Sequence, residues 1–161
     1  MAVQWVTSQH LPKKFHFYQY AALEHDGAVT MYPPDDPTWV SYTISANEYD
    51  TAARAITAPG RRLSSIMREL GHSHIDILKM DIEGAEYSVI SNLIESGIEV
   101  SQLLVEFHHR FKDIGIEKTQ NAIKLLNKYG YKIFDISSRG EELSFLRVRS
   151  PPKLEKIVRV G

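Results

Sequence analysis

The chain has 161 residues, and 19 Lys and Arg stand against 20 Asp and Glu for a formal net charge of -1, so charge gives no case for nucleic acid or an anionic membrane as partner. That length holds one domain with its own core, 1–161. The absence of Cys excludes disulfides, thiolate nucleophiles and thiolate metal sites, and with no signal-like or membrane-length apolar run a soluble cytoplasmic protein is expected.

Residues 15–23 alternate aromatic and polar side chains as a strand does, Asp26-Gly27 predicts a hairpin turn, and residues 28–32 an antiparallel return. Residues 33–53 read as a loop region, because Pro33, Pro34 and Pro37 cannot join a central ladder; a short edge strand fits at 39–44. A further strand is expected at 54–57, ended by a Pro59-Gly60 turn. Leu63, Ile66, Met67 and Leu70 make one helix face closed by Gly71, and an apolar run from Ile75 follows.

That run ends in Asp81-Ile-Glu83-Gly84-Ala-Glu86, the pattern of a buried strand delivering carboxylates to a helix start. Ala85, Val89, Ile90, Leu93 and Ile94 form the helix face, Gly97 stops it, and residues 103–108 form the next strand. A second unit repeats the rhythm: Ala122, Ile123, Leu125, Leu126 and Tyr129, a stop at Gly130, then a strand over 131–136. The polar turn at 137–141 leaves no room for a helix before the strand at 143–148, so the last two strands are antiparallel. The expected fold class is α/β, a mostly parallel sheet covered by helices and finished by a C-terminal antiparallel hairpin, with a loose tail over 150–161.

Leu78-Lys-Met-Asp-Ile-Glu-Gly-Ala-Glu86, followed one helix later by Gln102-Leu-Leu-Val-Glu-Phe-His108, resembles the FkbM family of S-adenosylmethionine-dependent methyltransferases and its methyltransferase-like relatives. Tyr20-Ala-Ala-Leu23 with Asp26-Gly27 resembles the segment that follows the second strand of that family. The similarity covers roughly 15–148, with 1–14 an atypical N-terminus. The resemblance implies a Rossmann-like class I methyltransferase sheet of order 3-2-1-4-5-7-6, and O-methylation of a hydroxyl on a sugar or natural product as the reaction class. It also implies S-adenosylmethionine as cofactor of the complete enzyme, with Ala21, Ala22 and Asp81 as the candidate cofactor contacts in this chain.

The family binds its cofactor through a glycine-rich turn after the first strand and an acidic residue after the second. Here no Gly-x-Gly occurs. The chain therefore reads as the C-terminal portion of a methyltransferase lacking the cofactor motif, truncated or diverged, whose isolated form is expected to be inactive. The alternative is a non-catalytic binding or assembly module derived from a methyltransferase. Loss of the first two strands is expected to leave Ile75–Met80 on a sheet edge, covered either by the N-terminal aromatic strand or by self-association.

The candidate catalytic residues are Asp81, Glu83, Glu106 and His108. Asp81, at the strand end, is placed to hold the acceptor hydroxyl or orient the cofactor amino group, set against simple capping of the next helix. Glu106 and His108 share a strand face, so Glu106 is expected to pair with His108, Lys79 or Arg110. His108 reads either as the general base for the acceptor hydroxyl or as a loop-fixing residue. Glu86 reads as a cap for amide donors. Asp81, Glu106 and His108 offer donors for a divalent ion, but their spacing requires none and no metal is assigned.

Overall fold

The computed structural model describes residue 6 and residues 8–39, 41–46 and 52–148. Positions 1–5 of the atypical N-terminus and the tail from Ser150 lie outside the described residues. The strands are β1 (Ala21–Leu23), β2 (Gly27–Met31), β3 (Ile56–Arg62), β4 (Ile75–Met80), β5 (Val100–Glu106), β6 (Tyr131–Ile136) and β7 (Glu142–Arg147). The helices that cover the sheets are α1 (Leu63–Leu70), α2 (Glu86–Glu95) and α3 (Ile116–Lys128), a 3-10 turn stands at Ala52–Arg54, and no helix among the described residues is long and apolar enough to cross a membrane.

Among the described residues two sheets form, one of three strands in the order β1-β3-β2 and one of four in the order β4-β5-β7-β6. Among the described residues parallel pairing is confined to β1 with β3 and β4 with β5; β2–β3, β5–β7 and β6–β7 are antiparallel. This corrects the expectation of a mostly parallel Rossmann-like sheet: the protein is α/β, but its ladders are largely antiparallel. The C-terminal hairpin is present as expected, with β7 lying between β5 and β6.

The N-terminal expectations change more. β1 and β2 do not pair with each other, because β3 inserts between them, parallel to one and antiparallel to the other. β3 also runs straight through Pro59-Gly60, where a turn was expected. The physical reason is the length of β1: it pairs only with Gly60, Arg61 and Arg62, so at Pro59 the strand has β2 alone as neighbour and is locally an edge that tolerates a residue without an N–H. Gly60 is needed where it stands, because a Cβ there would lie 2.7 Å from Leu23 Cδ1 and 3.1 Å from the Gly27 carbonyl oxygen. The edge strand expected at 39–44 reduces to a single antiparallel bridge between Tyr32 and Thr43.

Helices α2 and α3 cover the face of the larger sheet that carries Leu103 and Phe145. Ile90, Leu93, Val100, Leu103, Leu126 and Phe145 are fully buried there, and Tyr131 anchors the end by donating its hydroxyl hydrogen to the Val100 carbonyl at 3.0 Å. Each large apolar side chain removed from water contributes about 1.5–3 kcal/mol, so this cluster dominates the stability of the domain. On the opposite face Ile77, Phe134 and Leu146 are exposed. β4 pairs only with β5, leaving its other edge open among the described residues. The aromatic segment 15–23 therefore does not repack onto Ile75–Met80, contrary to expectation; the portion of it that enters a ladder, β1, pairs with β3.

Candidate functional site

Where β4 ends, the chain turns into α2 through Asp81-Ile-Glu83-Gly84-Ala85, with Glu83 at φ 52 and Gly84 at φ 103. Glycine accepts such angles freely, whereas an L side chain in the left-handed region costs roughly 1–2 kcal/mol. Surrounding contacts must hold Glu83 there. Its carbonyl accepts a hydrogen bond from the hydroxyl of fully buried Thr43 at 2.6 Å, and its carboxylate is drawn to His108.

Glu86, fully buried in the first turn of α2, organises this turn. Its Oε1 accepts the backbone amides of Ile82 at 3.1 Å and Gly84 at 3.2 Å, so it satisfies amide donors of the turn that precedes the helix, while the helix start itself has no side-chain cap. The same oxygen lies 2.8 Å from Nδ1 of His108, so that nitrogen carries a proton and donates it. The parallel register of β4 and β5, with Met80 opposite Val105, brings His108 alongside the acidic turn.

His108 is fully buried, and its ring tilts against Phe111 with centroids 5.0 Å apart. Its Nε2 lies 3.2 Å from Glu83 Oε2 and 3.8 Å from Asp81 Oδ1, near enough for ion pairing but without the alignment of a hydrogen bond. Burial by itself would lower the pKa of the ring; the contacts to Glu83 and Glu86 outweigh it and raise the value to about 10. At neutral pH the ring is therefore charged. His108 in turn holds the Glu83 carboxyl below its usual range, against the opposing effect of burial.

Asp81 is the most accessible member of the cluster, 41% exposed, and also lies 3.8 Å from Lys79 Nζ. Glu106 sits to one side. Burial first, and then the nearby Asp81 charge, push its carboxyl upward, and its ion contact is Arg110 at 3.9 Å. Of the partners considered for Glu106, the structure thus supplies Arg110. His109 turns elsewhere, with Nδ1 3.4 Å from the Thr119 hydroxyl.

A cavity of about 810 Å³ opens beside the cluster. Ala21, Ala22 and Asp81 all line it, together with Glu83, Tyr20, Trp39 and Tyr42. Sequence reasoning assembled Asp81, Glu83 and His108 but missed two supports, the Thr43 hydroxyl on Glu83 and the buried Glu86–His108 pair. The signal for the second was the acidic residue two positions after Gly84, read only as a cap.

Residues 12–133 match the model of the methyltransferase FkbM domain. The chain belongs to this family. It is similar to the proteins called "Probable methyltransferase-like protein 24" of Rattus norvegicus, 35% identical over 91 residues, and of Homo sapiens, 32% identical over 91 residues; each match covers 52% of this chain and 25% of the relative. It is also similar to the AMB antimetabolite synthetase AmbE of Pseudomonas aeruginosa, 31% identical over 84 residues, which are 52% of this chain and 4% of that protein. The chain thus spans about a quarter of the methyltransferase-like relatives. No solved structure matches it significantly.

Proposed function

We propose that this FkbM-family domain is the acceptor-binding portion of an S-adenosylmethionine-dependent O-methyltransferase, acting on a hydroxyl of a sugar or natural product. The observation that carries the reading is the acidic and imidazole cluster at the ends of β4 and β5, opening through Asp81 and Glu83 into an aromatic-lined cavity. When bound, S-adenosylmethionine would supply the methyl group and leave as S-adenosylhomocysteine, and the acceptor hydroxyl proton would pass to a carboxylate of this chain. Asp81, the exposed carboxylate, takes the acceptor hydroxyl. Glu83 and Glu86 keep His108 charged, so a general-base role for that ring requires it first to shed a proton. Positioning is the main demand on such a site.

The engagement of His108 by Glu83 and Glu86, which commits the ring to structural contacts, favours a second reading, a binding or assembly module that keeps the acidic crevice without catalysis. Two measurements separate the readings. Calorimetry on the 161-residue chain is expected to show no micromolar one-to-one binding of S-adenosylmethionine. The same chain extended by the glycine-rich cofactor segment of another family member is expected to methylate hydroxyl acceptors, and Asp81→Asn to slow it about 100-fold with an unchanged melting temperature. An extended chain that binds the cofactor yet transfers no methyl group supports the module instead.

A further inference from the structure

We propose that Asp81, Glu83 and His108 form a three-ligand site for a divalent cation with mixed oxygen and imidazole preference, of the Mn²⁺ or Zn²⁺ kind. One carboxylate oxygen from each acid and one ring nitrogen lie within 4.8 Å of one another. An acidic cluster alone is common. What points to a ligand here is Nε2 of His108, on a side chain only 1% exposed, which has no hydrogen-bond partner and is aimed between the two carboxylates.

The separations suit an ion. Two donors each about 2.0–2.2 Å from a metal lie roughly 3.0–3.6 Å apart at cis-octahedral or tetrahedral angles. Nε2 is 3.2 Å from Glu83 Oε2, within that span, and 3.8 Å from Asp81 Oδ1, which closes the remainder by rotation of an exposed side chain.

The surroundings of the ring complete the argument. Glu86 Oε1 accepts from Nδ1 at 2.8 Å, so Nε2 is the nitrogen that presents a lone pair to a metal once its proton is displaced. A carboxylate on the far nitrogen of a ligating histidine is the usual support in metal sites, and it raises the donor strength of the ring. The left-handed backbone at Glu83, φ 52, presents the second ligand at the cost of local strain. With the ring neutral, two carboxylates balance a doubly charged ion, and the proton displaced from Nε2 leaves to solvent. Asp81 faces the cavity, so an ion here has room for further oxygen ligands from water or from an acceptor. Its effect on an acceptor hydroxyl, a lowered pKa, rests on the methyltransferase reading. The site itself does not.

The test is titration of the metal-free chain with Mn²⁺, followed by the loss of free-ion paramagnetic resonance signal, with Zn²⁺ calorimetry in parallel. One saturable site is expected, weakened at least about tenfold by Glu83→Gln and by Asp81→Asn and unchanged by Asp76→Asn, a control on the 88% exposed Asp76. Glu83→Gln retains His108 and the Glu86 contact, and circular dichroism checks that it folds. No saturable binding of either ion, or binding indifferent to both site substitutions, overturns the proposal. Saturable binding in a chain without methyl transfer leaves the metal site standing and removes only the enzymatic reading.

Discussion

Gly84 combines two constraints that a single methyl group would violate. Its φ of 103 is hostile to an L side chain, and a Cβ would lie 3.2 Å from Ile114 Cδ1 and 3.5 Å from Phe111 Cδ2. Phe111 in turn packs on His108, so strain at Gly84 is passed to the ring and to its contacts. Gly84→Ala is expected to destabilise the domain by about 1–3 kcal/mol, read as a lower urea midpoint at constant slope. An unchanged midpoint would show that the turn relaxes without penalty. Glu83, at its own positive φ, lacks that glycine freedom and is held instead by Thr43 and His108.

At the scale of elements, the start of α1 depends on a residue far away in sequence. Arg62, at its N-cap position, offers no side-chain cap. Asp26 supplies it from the segment between β1 and β2, accepting from the Ser65 hydroxyl at 2.6 Å and the Arg62 amide at 2.9 Å. The Ser65 hydroxyl first, then the Arg62 amide and guanidinium, lower the Asp26 pKa from 3.8 to about 2. The folded-state value is depressed, so the stabilisation is complete above pH 3.8 and is lost as pH falls towards 2. Asp26→Asn is therefore expected to lower the melting temperature at neutral pH and to leave a shallower acid limb across that window, measured by thermal scans at stepped pH. Equal losses at pH 7 and at pH 2 would deny the carboxylate this role.

At the scale of the whole molecule, the edge of β4 left open among the described residues is the outstanding feature. The Ile75 amide donates to the Glu99 carbonyl on the β5 side, and strand alternation then turns the Asp76, Leu78 and Met80 amides to the open side. In a monomer the Leu78 amide is expected to exchange with solvent far faster than that of Leu103 in the sheet interior. Slow exchange at Leu78 would mean that another strand covers the edge. Ile77, 60% exposed on the adjoining face, adds apolar surface to this edge. Concentration-dependent association is expected in light scattering, reduced by Ile77→Lys with little change in stability, since the side chain is already in water.

The sequence by itself determined the local elements: apolar side chains at helical spacing, with stops at Gly71, Gly97 and Gly130, mark helices that the structure contains, and a polar pentad forces the last two strands into a hairpin. It also marked Asp81, Glu83 and His108, because a strand end is where side chains reach a crevice. Only the tertiary structure decided which strands become neighbours. Alternation at 15–23 and 28–32 fits a hairpin as well as it fits two strands separated by a third, since periodicity reports which face is buried and carries no information about the partner across the ladder. The same limit hid the pairing of Glu86 with His108, which are 22 residues apart and meet because parallel register sets the end of β5 beside the start of α2.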